Sequence, residues 1–209
     1  MRNVNSLRRR LTQSFAVSLL FLGAALPLYS AEPTQEDAGK EARVPASKIL
    51  VIYYSRTGTT AKVADAIAGA TGADVERLMD TVDRSGFMGF MRSLFDAIRR
   101  RGTTLKPLSV DPALYEVVVI GTPDWGKSMS TPMRTFLETY KGRLRQVAFF
   151  LTDGKADHDA IFREMAALVG REPIACLGLP RDDVVKDRFA AKVETFVKSL
   201  PTLTSIDHF

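Results

Sequence analysis

Cysteine is almost missing: Cys176 stands alone among 209 residues, which excludes an internal disulfide. Histidine is scarce too. His158 and His208 lie far apart, and with one cysteine they make no zinc-binding cluster, so no metal ligands are assigned. Tryptophan occurs once, at Trp125. There is no internal repeat and no low-complexity tract. A strong excess of either charge is also lacking. The chain carries +5, and from Ala46 onward 23 Lys and Arg face 20 Asp and Glu, a net of +3. That is too weak and too mixed for a nucleic-acid partner. What is present, 45% hydrophobic and 25% charged residues, is ordinary for one globular domain with a real core.

The first 31 residues stand apart. Arg2, Arg8, Arg9 and Arg10 precede an apolar stretch from Phe15 to Leu28, and small residues follow at Ser30 and Ala31. This is the pattern of a signal peptide, and the stretch is shorter than the ~20 apolar residues of a bilayer span. The adjacent arginines resemble a loose twin-arginine signal. We therefore expect export, to the periplasm. The alternative is an uncleaved membrane anchor at residues 15–28. Residues 32–46 are polar with two prolines and are expected to form a linker. The folded domain is expected over 47–200, with a C-terminal tail at 201–209.

The body alternates strand and helix patterns. A near-continuous apolar run at 48–55 predicts a strand buried on both faces, 115–122 another buried strand, and 146–153 and 172–179 two further strands. Val75, Arg77 and Met79 in 73–79 mark a further strand nearer an edge. Helices are expected at 59–70 (Val63, Ile67, Ala70), 131–140 (Met133, Phe136, Leu137, Tyr140), 158–169 (Ile161, Met165, Leu168) and 183–199 (Val185, Phe189, Val193, Phe196, Val197). This order implies an α/β fold: a doubly wound, five-stranded parallel sheet with helices on both faces. Cys176 falls in an apolar run and reads as core. His158 reads as solvated, near a helix start.

Ligands of such sheets bind beyond the carboxyl ends of the strands. Three loops qualify. The first, Ser55, Arg56, Thr57, Gly58, Thr59 and Thr60, puts four hydroxyls and a glycine before a helix, where one capping hydroxyl suffices. Unpaired helix N–H groups, hydroxyls and a glycine together form a phosphate cradle; the competing reading is a richly capped helix. The second loop, 122–130, contains Trp125, either a stacking wall for a flat ring or a plug at the end of the core. The third, 152–157, has Gly154 for a tight turn. Gly121 to Ser128 also matches a nucleotide-binding P-loop letter for letter. Against that alternative stand Pro132, where the helix should be running, and Pro123 and Trp125, which crowd a loop that must wrap phosphates.

Ser55, Thr57, Gly58 and Thr60 after the first strand resemble the phosphate loop of the flavodoxin family. "VVVIGTPDWGKSMSTPMRTFLE" resembles the family's second flavin loop, and "VAFFLTDG" is similar to the start of its third. The likeness spans residues 48–198. It implies FMN as cofactor, with Ser55–Thr60 on the phosphate. Pro123, Asp124, Trp125, Gly126 and Lys127 would lie along the isoalloxazine, and Thr152, Asp153 and Gly154 would flank its other side. It implies electron transfer to a redox partner protein or a small-molecule acceptor. The alternatives are an FMN-dependent reductase of quinones or similar acceptors and a binding module without cofactor. No catalytic side chain is assigned, and the oligomeric state stays open.

One insertion is distinctive. Residues 86–102 carry Phe87, Phe90, Met91, Leu94, Phe95 and Ile98 at helical spacing and end in three arginines. The stripe is expected to pack on the sheet. A second use is contact of helix 87–101 with an anionic membrane surface, or one wall of a quinone pocket.

Overall fold

The computed structural model describes residues 47–81, 102–153 and 158–201, together with positions 45 and 89. The expected signal segment, most of the linker, the helix at 87–101, Gly154 and the tail beyond Pro201 lie outside the described residues. The chain divides into Met1–Ala38 and Gly39–Phe209, and everything below concerns the second unit.

Five strands form one sheet: β1 (Ile49–Tyr53), β2 (Asp74–Arg77), β3 (Val117–Pro123), β4 (Gln146–Asp153) and β5 (Cys176–Pro180). All pairings are parallel, in the order β2-β1-β3-β4-β5. This is the doubly wound order of the flavodoxin-like fold, with the chain reversing direction of travel between β1 and β3. Among the described residues the α-helices are α1 (Thr59–Thr71), α2 (Thr131–Thr139), α3 (His158–Val169), α4 (Arg181–Val185) and α5 (Ala190–Lys198).

The continuous apolar runs are explained by two buried faces. Leu50, Ile52, Val118, Ile120, Val147, Phe149 and Leu151 point into a layer with Met133, Phe136, Leu137, Ile161 and Met165 of α2 and α3. The residues between them, such as Val51, Val119, Ala148 and Phe150, face Val63, Ile67, Val193 and Phe196 of α1 and α5. Gly121 is required by this second layer. A Cβ there would stand within 2.5 Å of three atoms of the Phe150 ring, which crosses directly over β3.

Several expectations need correction. The single helix expected over 183–199 is two helices. Asp187 takes φ 55°, a left-handed conformation that Asp tolerates better than most residues. Before this turn, Val184 is buried and Val185 is 59% exposed, so Val185 does not belong to the apolar stripe expected from the sequence. Ala70 is exposed, and Val63, Ala64, Ile67 and Ala68 form the buried face of α1. β2 is shorter than expected, and along it and the two residues that follow, Val75, Arg77 and Met79 are exposed while Glu76 and Leu78 are buried. The buried Glu76 carboxylate is satisfied by the N–H and hydroxyl of Ser109. β5 begins at Cys176 rather than at 172, and the Cys176 side chain is exposed, not core. The cause is the position of β5 at the sheet edge, where Leu177 and Leu179 turn inward and their neighbours outward. His158 is half-buried, with its ring lying on Gly178.

Candidate functional site

β1 and β3 end side by side at the switch point, and each opens into a candidate loop. The first strand delivers Ser55, which is buried and turned to internal work: its Oγ accepts the Gly58 N–H at 3.1 Å. Arg77, at the end of β2, donates from Nη2 to the Ser55 carbonyl at 2.8 Å and holds the turn from the side. Gly58 is the N-cap of α1, at φ 89° and ψ −16°, and no side chain caps the helix. The first intrahelical bond runs from Lys62 N to Gly58 O. The N–H groups of Thr59, Thr60 and Ala61 therefore precede the helical ladder, as the orphan donors of every helix do. The hydroxyls of Thr57 and Thr59 stand 3.3 Å apart at the exposed rim. Thr60 is buried. The abundance of hydroxyls thus separates into two uses: Ser55 and Thr60 build the turn, while Thr57, Thr59 and the helix end face outward. Arg56 is half-buried beside them.

The second loop is a hairpin. Asp124 and Met129 pair as an antiparallel bridge, and Trp125 N donates to Ser128 O at 2.8 Å. Gly126 and Lys127 between them both have φ 65°. Two successive left-handed residues are what a two-residue hairpin turn of this hand needs. The Asp124 carboxylate accepts the Ser128 N–H at 3.2 Å and closes the turn. The chain then enters α2 at Thr131, with Pro132 in its first turn, where the missing N–H costs nothing. Lys127 is at the exposed tip of a hairpin. A P-loop would instead run it straight into a helix, so the letters of Gly121–Ser128 match that motif without its geometry.

Trp125 is 6% exposed and meets Tyr54 edge-to-face, with ring centroids 5.3 Å apart. It belongs to the apolar layer that includes Met129 and Met133. It therefore closes the end of the core directly beneath the hairpin.

The third loop enters through the end of β4. Thr152 is the joint of the site. Its hydroxyl lies 2.8 Å from that of Thr60, and its carbonyl accepts the Asp124 N–H at 3.0 Å. All three candidate loops thus meet at one residue. Asp153 ends β4, paired with Pro180. Pro123 pairs with Thr152 and ends β3.

The groups with displaced titration lie mostly elsewhere. Beside the site, Tyr53 is lifted above the ordinary phenol value, first by burial and then by Asp65, with Arg77 opposing. It stays protonated at neutral pH. Sequence reasoning missed Arg77, and it missed the contacts of Ser128, Arg134 and Glu164 described below. Nothing in linear spacing pairs residues on different elements.

No family model matches the chain, and no curated protein does. Solved structures do. A flavoprotein from Lactobacillus acidophilus NCFM, determined in complex with FMN, is 25% identical, with a TM-score of 0.53 over 69% of this chain and 99% of its own. A protein from Bacteroides uniformis ATCC 8492 assigned as a flavoprotein is 21% identical, with a TM-score of 0.58 over 73% of this chain and 99% of its own. A counterpart from Bacteroides eggerthii DSM 20697 is 21% identical, with a TM-score of 0.56 over 72% and 98%. These likenesses agree with the strand order: the fold is flavodoxin-like.

Proposed function

We propose that this domain binds FMN at the carboxyl ends of β1, β3 and β4 and serves in electron transfer. One observation carries the reading. At the point where this strand order places FMN, an uncapped helix N-terminus, a hairpin over a buried indole and the end of β4 are tied together by Thr152. The complex of the Lactobacillus acidophilus flavoprotein with FMN supports the same cofactor.

The residues present fit the group. The N–H groups of Thr59, Thr60 and Ala61, with the positive end of the α1 dipole, suit a phosphate dianion. The exposed Thr57 and Thr59 hydroxyls add donors. Gly58 leaves open space above the backbone, since a Cβ there would meet no atom within 4 Å. The hairpin residues Asp124–Lys127 would border the ring, with Trp125 supporting it and the end of β4 at Thr152 and Asp153 on the other side. Gly126 lets the turn's peptide reorient at low cost. The flavin itself supplies the redox chemistry; the chain supplies grip, orientation and local charge.

The partner is a redox protein or a small-molecule acceptor such as a quinone. A body near neutral charge suits neither strongly acidic nor strongly basic docking. Export of the domain belongs to the same proposal and is supported by the pattern of residues 1–31.

The test is direct. Purified protein offered FMN and passed over a desalting column should emerge yellow, with about one flavin per chain, and bleach on reduction. Folded protein that emerges colourless overturns the reading. With flavin bound, oxidation of NADH or NADPH in the presence of a quinone separates a reductase from a carrier. N-terminal sequencing of the mature protein checks removal of the signal segment.

A further inference from the structure

A buried charge at the base of the hairpin has no part in the reading so far. Arg134, in the first turns of α2, is 3% exposed. Its Nη2 donates to Glu164 Oε1 of α3 at 2.7 Å and to Ser128 Oγ of the hairpin at 3.3 Å. Ser128 Oγ in turn lies 3.5 Å from Glu164 Oε2, at the limit of hydrogen bonding. Among the described residues, the buried Arg134 Nε has no hydrogen-bond partner. Such a pair is a weak device for stability. Desolvation of the two charges offsets most of their attraction, and apolar side chains of similar volume serve a core as well. What a guanidinium clamped by a carboxylate does deliver is fixed geometry. Here the fixed point belongs to two helices, and the group held against it belongs to the loop.

We propose that Arg134 is a positioning residue for the FMN-facing hairpin. Anchored to α3 by Glu164, it holds Ser128 and thereby sets where Asp124 and Trp125 stand. The path is short. Ser128 O accepts the Trp125 N–H, and Ser128 N donates to the Asp124 carboxylate, so displacing Ser128 displaces both residues. The FMN consequence rests on the function proposed above; the placement of the hairpin does not.

Trp125 is the only tryptophan, so intrinsic emission reports its burial in protein without FMN. The variant to use is Arg134→Met with Glu164→Met. It removes both charges together, avoids stranding one of them in the core, and should melt cooperatively. In this variant Trp125 emission should move to the red and become more accessible to acrylamide. FMN should bind roughly tenfold to a hundredfold more weakly, the loss expected for a charge-assisted hydrogen bond. Ser128→Ala alone should act in the same direction, but added to the double variant it should change FMN affinity by less than about twofold, because coupled residues are not additive. The proposal is overturned if the double variant keeps wild-type emission and FMN affinity. It is equally overturned if Ser128→Ala costs the same with and without the pair. Failure of the unaltered protein to take up FMN would sink the functional reading alone, since the emission measurements still decide the tether.

Discussion

Gly58 and Gly72 close the two ends of α1, and they form a matched pair for testing the phosphate loop. Both are left-handed, Gly58 at φ 89° and Gly72 at φ 64°. Among the described residues a Cβ at either would meet nothing within 4 Å, so alanine there brings backbone strain rather than a clash. The strain is about 1–2 kcal/mol at each position. For a domain of this size that lowers Tm by roughly 2–8 °C. The two variants should therefore lose similar stability. They should differ sharply toward FMN. Gly72 is a helix length away, about 20 Å for 13 residues, and Gly72→Ala should leave the dissociation constant unchanged. Gly58→Ala should raise it at least about tenfold, equivalent to ~1.4 kcal/mol, because the methyl stands where the anion approaches and the strained turn re-aims the Thr59 and Thr60 N–H groups. Flavin fluorescence quenching measures both constants, and thermal melts verify that the stabilities match. Equal FMN affinity in the two variants would refute the assignment of the phosphate to residues 55–60.

Gly121→Ala should destabilise by about 1–3 kcal/mol through overpacking against Phe150; adding Phe150→Leu should recover part of the loss, and strictly additive urea-denaturation energies would contradict the contact. Cys176 is exposed, yet partial burial, followed by Asp159 and Glu172, lifts its thiol to about 11. Iodoacetamide should therefore alkylate it slowly at pH 8, with a rate that climbs about tenfold per pH unit because the thiolate is the nucleophile; a rate already level above pH 9 would disprove this. Asp183 is held below the ordinary carboxyl value by hydrogen bonds from Lys192 and Arg188. Its contribution is present above the unfolded-state value and is lost as pH falls through the depressed one. The stability gap between wild type and Asp183→Asn should therefore close as urea melts are taken from pH 7 down toward pH 2.

Much of the fold was legible because two-sided burial writes itself as unbroken apolar runs. "QVAFFLTD" coincides with β4 from first residue to last. The misreadings cluster at the edges. Cys176 stands in an apolar run, but β5 is the last strand of the sheet and its Cys176 side turns outward; a linear pattern cannot distinguish an outer strand from an inner one. The α4–α5 break leaves no mark in the sequence pattern, because Val184, Phe189, Val193 and Phe196 pack into one layer on both sides of the turn at Asp187. At the site, loop positions were readable from Gly and hydroxyl content. The division of labour among the hydroxyls was not, since it depends on Thr152, 92 residues from Thr60. Arg134 is buried beside Met133, Phe136 and Leu137 on α2, and a charged residue next to an apolar stripe reads in sequence as the solvated side of the helix. Its partner, Glu164, is set by how α2 packs on α3.

The junction at Thr152 has a consequence for anyone who would re-engineer this molecule. A turn transplanted into positions 55–60 from some other domain would arrive without its seat, because the hydroxyl it must rest on is encoded in a different strand, and that strand also supports the hairpin. Replacement therefore has to proceed in matched sets. A library that varies positions 60, 124 and 152 together should yield far more folded, colour-bearing members than libraries that vary each in isolation.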